Sequence, residues 1–195
     1  MNKFLRIALI GLCAMGCATE NPTLLLDLEE RRQDFVLETK KIDIPGHPYA
    51  FNPGILRWRG RLLMSFRVIP DQKCPFNSEI GLVWLNEEFE PTSKPQLLSL
   101  RDENSVSACR AEDARLLSIG EKLYIIYDDN EEKRISKGGF RVYVAELNYD
   151  GEHFIAKNVE CLSQFEGESR ERREKSWVPF NYQENLLLAY SLLPH

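Results

Sequence analysis

Residues 113–127 read Asp-Ala-Arg-Leu-Leu-Ser-Ile-Gly-Glu-Lys-Leu-Tyr-Ile-Ile-Tyr. An apolar run, a tight polar turn at Gly120 and a second apolar run closing on an aromatic residue are the marks of a β-hairpin. Two other segments share the pattern. One is Pro53-Gly-Ile-Leu-Arg-Trp-Arg-Gly60-Arg-Leu-Leu-Met-Ser-Phe66, the other Trp177-Val-Pro-Phe-Asn-Tyr-Gln-Glu184-Asn-Leu-Leu-Leu-Ala-Tyr190. Their closing aromatics, Phe66, Tyr127 and Tyr190, are 61 and 63 residues apart. A nearly fixed period of that size predicts the blades of a β-propeller.

Working outward, Ile80-Gly-Leu-Val-Trp-Leu85 follows the first hairpin and Phe140-Arg-Val-Tyr-Val-Ala-Glu-Leu147 the second. Each is a third strand, and each is followed by a turn, Asn86-Glu-Glu or Asn148-Tyr-Asp-Gly151, leading to a fourth. The reading is all-β: a partial propeller of about two and a half blades of four-stranded antiparallel sheet. Leu24 to Phe35 reads as a short helix or an early closing strand, and no long helix is expected after residue 40. A half-blade leaves a sheet edge that proteins seldom expose, so the expectation is a fragment of a longer product.

The N-terminus is a different kind of sequence. Lys3 and Arg6 precede the apolar run Ile7 to Met15, then Gly16-Cys17-Ala18. Basic, apolar and small residues in that order describe an export signal. The run falls short of the about 20 residues that span a bilayer. Cys17 after Gly16 is a candidate lipid anchor. The expected organisation is a leader over 1–18, an N-terminal segment over 19–48 and an incomplete propeller over 49–195, in a protein that is periplasmic, membrane-anchored or secreted. Cys74, Cys109 and Cys161 lie in the body; export permits one disulfide among them, with no pairing favoured. They lack zinc-site spacing, and no cofactor is expected. A net charge of -5 argues against a nucleic-acid partner, because phosphate neutralisation needs clustered Lys and Arg. The densest charge run, residues 166–175, mixes both signs and reads as a solvated loop. Nothing in the pattern fixes an oligomeric state.

Four ordered segments carry a resemblance to a known family. They are Ala50-Phe-Asn-Pro-Gly-Ile-Leu-Arg57 with Arg67, Ala111-Glu-Asp-Ala-Arg-Leu-Leu117, Glu174-Lys-Ser-Trp-Val-Pro-Phe180 and Tyr190-Ser-Leu-Leu-Pro-His195. They resemble segments of glycoside hydrolase family 130, five-bladed propellers acting on β-mannosides as phosphorylases or hydrolases. Ala114 stands where the family has Pro. The resemblance implies an oligosaccharide or glycan partner, and it implies that Asp113 donates the proton to the glycosidic oxygen. Such work suits a carboxylic acid whose surroundings raise its pKa. In the phosphorylases inorganic phosphate is the co-substrate and nucleophile, so cations must hold it. Arg67, Lys175 and His195 are the implied candidates, with Arg115 and Glu112 beside the acid. Asn52 and Trp177 are the implied sugar contacts.

Plainer readings exist for the same residues. Arg115 and Glu112 can form a structural ion pair, Asp113 can cap turn amides, and Trp177 can pack in the core. Two functions follow from these alternatives: an exported mannoside hydrolase or phosphorylase, or a catalytically silent sugar-binding propeller or truncated remnant of such an enzyme. Outside the cytoplasm hydrolysis is the more economical chemistry, since a released sugar phosphate would be lost to the cell.

Overall fold

In the computed structural model residues 40–71, 73, 77–100, 110–130, 140–162 and 175–189 are described. The leader with Cys17, the run from Leu24 to Phe35, Cys74, Cys109, Tyr190 and His195 lie outside them.

Three antiparallel sheets make up the described chain, with no helix among the described residues. β1 (Phe51–Trp58), β2 (Arg61–Val68), β3 (Glu79–Leu85) and β4 (Gln96–Leu97) form the first, in chain order. β5 (Glu112–Ile119), β6 (Lys122–Asn130), β7 (Phe140–Tyr149) and β8 (Phe154–Cys161) form the second, again in chain order. β9 (Val178–Tyr182) and β10 (Asn185–Ala189) form a two-stranded third. This is a partial propeller: two complete blades and the opening hairpin of another.

Local chemistry explains the hairpins. The β1–β2 connection is Arg59-Gly60, with φ of 48° and 74°, so both central residues are left-handed as a type I′ turn requires. The β9–β10 turn has the same form without glycine, Gln183 and Glu184 standing at φ 50° and 61°. β4 is short because Pro91 and Pro95 withhold amide hydrogens from the ladder.

Three apolar clusters hold the described chain, two of them between blades. Between the first and second lie Trp58, Leu63, Leu82, Trp84, Leu123, Ile125, Tyr143 and Phe154, among others. Trp58 and Trp84 stack there with ring centroids 6.1 Å apart and planes 9° from parallel. Arg59 and Arg61 cover those indoles at 4.3 and 4.0 Å. Gln96 exchanges two hydrogen bonds with the backbone of Phe154, of 2.6 and 2.8 Å, fastening β4 to the second blade. Between the second and third blades lie Leu117, Ile126, Val142, Val144, Trp177, Leu186 and Leu188. The outer face of the first blade is covered by its own lead-in, where Ile42, Ile44 and Ala50 meet Met64, Phe66, Val68 and Val83.

The first strands stand side by side. Gly54 approaches the second blade so closely that a Cβ there would lie 2.8 Å from the Ala114 carbonyl oxygen. Ser65 Oγ donates to that oxygen at 3.2 Å. Asn181 of β9 donates through Nδ2 to the Ser118 carbonyl of β5 at 3.3 Å. β1, β5 and β9 are therefore the inner strands, and their starting residues share one end of the assembly.

Candidate functional site

A left-handed residue stands at the start of each inner strand, with a register slip in β1 and β5. Ladder registers slip between Phe51 and Gly54 in β1 and between Glu112 and Arg115 in β5. The residues inside or beside the slip are left-handed: Asn52 at φ 49°, Asp113 at 52° and, just before β9, Ser176 at 62°. These three occupy the same place in the repeat. Asn and Asp tolerate that conformation better than other side chains because short polar groups bond locally. A bulge of this kind turns a side chain away from the pleat and re-aims it.

Re-aimed in this way, the residues converge. Asn52 Nδ2 donates to Asp113 Oδ1 at 2.5 Å. Arg67 of β2 donates through Nη2 to Glu112 Oε1 at 2.9 Å, and its Nη1 lies 3.7 Å from Asp113 Oδ1. Lys175 Nζ donates to Glu112 Oε2 at 2.6 Å and lies 3.9 Å from Asp113 Oδ2. Three blades thus contribute to one cluster, with Glu112 buried at its centre, both its oxygens held by cations. The Arg67 Nε is buried without a hydrogen-bond partner. Two aromatics flank the cations. Phe51 sits 5.1 Å from the Arg67 guanidinium and is 36% exposed, and the Phe140 ring lies 4.3 Å from Lys175 Nζ. Cations over ring faces are attracted by the ring quadrupole.

Five of the eight residues singled out from sequence meet in this cluster: Asn52, Arg67, Glu112, Asp113 and Lys175. Two others lie elsewhere. Trp177 is 3% exposed and packs on Leu117, Ile126 and Leu186, so the reading of it as a sugar contact is corrected to core. Arg115 is exposed and turns back on the backbone, donating to the carbonyl oxygens of Asp113 and Ala114 at 3.4 and 3.2 Å. The ion pair with Glu112 does not form, because Arg67 and Lys175 take both Glu112 oxygens. The eighth, His195, lies outside the described residues. Asp113 does not cap a turn; its carboxylate faces Asn52, Arg67 and Lys175.

Sequence reading missed Asp128 and Asp129, consecutive acids in the interior of β6. Both are buried, at 3% and 1% exposure, on opposite faces of the strand. Asp129 Oδ1 accepts the Arg110 amide at 2.9 Å, fixing the lead-in to β5. Asp128 Oδ2 accepts the Ser176 amide at 3.1 Å, across to the third blade. Burial pushes the Asp128 carboxyl up to about 7. Asp113 and Glu112 push the same way, against the Ser176 amide and the Lys175 charge. The signal in the sequence is the pair itself: two acids inside an apolar strand need partners. Among the described residues no cluster of His, Cys, Asp and Glu could hold a metal ion.

No family model matches the chain. No curated protein matches it either. Among solved structures it is similar to the alpha-L-arabinofuranosidase of Lactobacillus brevis, at 13% identity and a TM-score of 0.44, over 62% of this chain and 38% of that one. It is also similar to a protein of Parabacteroides distasonis assigned as a glycoside hydrolase, at 17% identity and a TM-score of 0.47, over 72% of this chain and 41% of the other. The chain spans about two fifths of the length of each. By name, both structures are glycoside hydrolases.

Proposed function

We propose that this chain is the acid-bearing part of a carbohydrate-active propeller that cleaves β-mannosides or related glycans, with Asp113 as general acid. The observation that carries the reading is the convergence of Asn52, Asp113, Glu112, Arg67 and Lys175 from three blades at one end of the inner strands. In the step proposed, the bond between the anomeric carbon and the glycosidic oxygen breaks as Asp113 gives that oxygen a proton. Water or inorganic phosphate forms the new bond at the anomeric carbon, and the attacking group's proton is released. Arg67 and Lys175 suit the phosphate, since guanidinium and ammonium donors bind its oxygens by charge-assisted hydrogen bonds. Glu112 is then the counter-charge that keeps both cations in place when no anion is bound. Phe51, the more exposed of the two rings beside the cluster's cations, takes the apolar face of a sugar in the role first read for Trp177.

A second reading has an observation of its own. Each carboxylate oxygen of Glu112, and one of Asp113, is already engaged by a neighbouring blade. Such a latched cluster also suits a surface that binds glycan without cleaving it. The 195-residue chain, assayed on β-mannosides with and without phosphate, separates the two. Under the enzymatic reading Asp113→Asn costs roughly a hundredfold or more in rate. An active parent whose Asp113→Asn variant keeps its rate removes Asp113 from the chemistry. Mannoside binding with no turnover leaves the silent binder.

A further inference from the structure

Asp128 occupies the place in the second blade that Arg67 occupies in the first. Arg67 is the register partner of Phe51, and Asp128 that of Glu112. Each side chain also crosses to the next blade at the same level. Arg67 meets Glu112 at 2.9 Å; Asp128 meets the amide of Ser176 at 3.1 Å, with Lys175 adjacent in the chain. The two crossings have opposite polarity. In the first the cation sits on the second strand and the anion, Glu112, on the first residue of the next inner strand. In the second the anion sits on the second strand and the cation, Lys175, on the lead-in.

We propose that Asp128 is a positioning residue that seats the Lys175-Ser176 lead-in against the second blade, so that Lys175 Nζ is delivered to Glu112 and Asp113. The inference rests on reading that cluster as the working site, but its test needs no substrate. The geometry explains why so short a segment is held. Ser176 is left-handed at φ 62°, a strained conformation for this residue that persists only under outside restraint. Its amide hydrogen bond to Asp128 and the buried Trp177 beyond it supply restraint on both sides. Lys175 itself is less buried, so without the Ser176 anchor its long side chain would sample solvent. The charged groups acting on Asp128 are Glu112 and Asp113 from β5 and Lys175 from the lead-in. From β7 its register partner is the apolar Val142. Its carboxyl titrates near 7, so the strength of the latch changes with pH: the ionised form accepts the Ser176 amide more strongly than the neutral one.

Backbone amide exchange and amide NMR shifts of the 195-residue chain, followed from pH 5 to 9, test this. In the parent, the Ser176 amide shift follows a single titration centred near 7. Asp128→Asn keeps an acceptor oxygen, so Ser176 stays protected while that titration disappears. Asp128→Ala removes the acceptor, and Ser176 exchange rises roughly tenfold or more while the β1–β2 amides keep their rates. Parent-like Ser176 protection in a folded Asp128→Ala variant overturns the proposal. So does a Ser176 titration that survives in Asp128→Asn, and that variant decides the matter if Asp128→Ala fails to fold. Loss of glycan activity in any variant has no bearing on these readouts, so failure of the enzymatic reading stays separable.

Discussion

Gly54→Ala tests how closely the inner strands must approach. The added methyl would stand 2.8 Å from the Ala114 carbonyl oxygen, 2.8 Å from Ser65 Oγ and 3.7 Å from the Arg115 Cα. Ordinary contact begins near 3.4 Å, so two neighbours must each give by about 0.6 Å. Ser65 can rotate, but it then abandons the bonds it donates to Ala114 and Gly54 at 3.2 and 3.3 Å inside a buried site. The Ala114 oxygen is backbone and can yield only if β5 moves. Overpacking of this kind costs about 1–3 kcal/mol, and a buried hydrogen bond left unmade about 1–3 kcal/mol. Stiffening the unfolded chain returns about 0.4–1 kcal/mol. The expected net loss is about 2–4 kcal/mol by urea denaturation. A cycle with Ser65→Ala should be non-additive, the double variant losing less than the sum, because removing the hydroxyl removes one of the two clashes. A Gly54→Ala protein as stable as its parent would refute the close approach of β1 and β5, and with it the placement of Asn52 beside Asp113.

Trp177→Ala should cost about 3–5 kcal/mol by the same assay, because the indole fills the cluster between the second and third blades; a near-neutral change would return Trp177 to the surface. Stability should also fall with rising pH. The Asp128 carboxyl stands at about 7 in the folded chain against 3.8 when unperturbed, so the folded state holds its proton more tightly. The resulting stabilisation is complete below about 4 and is lost as pH climbs to about 7. The loss amounts to roughly 4 kcal/mol at about 1.4 kcal/mol per pH unit. Asp128→Asn should flatten that slope in urea midpoints measured from pH 4 to 8, and an unchanged slope would assign the effect elsewhere.

The hairpins were legible because their signals are local. Gly60 and Gly120 at turns, alternating apolar strands and closing aromatics repeat at a nearly fixed spacing. The meeting of Asn52 and Asp113 was legible for the same reason, since equal positions in a radial repeat lie around an axis; Lys175 precedes the third such position, Ser176, and reaches Asp113 from there. Arg115 was named through the resemblance alone; in the fold it follows the slip between Glu112 and Arg115 and turns back on the backbone. Trp177 follows the left-handed Ser176, a backbone turn that composition does not reveal, and it points inward as a result. The acid pair at 128 and 129 marks a buried site in the sequence, but the partner of Asp128 is a main-chain amide 48 residues away, and main-chain donors leave no mark of their own.

Asn52, Asp113 and Ser176 share one backbone bend while carrying an amide, a carboxylate and a hydroxyl. Shape and chemistry are therefore written separately at this end of the molecule. The bend is inherited with the blade, and whichever short polar group occupies it is presented to the axis. Exchanging the group at one bend alters what this end of the inner strands can do and leaves the ladders and the clusters between blades as they are. Duplicating a blade yields another socket before it yields another reactive group. Ser176 is such a socket, its own amide already held by Asp128. A Ser176→Asp exchange would place a second carboxylate at the bend that follows Asp113 in the repeat.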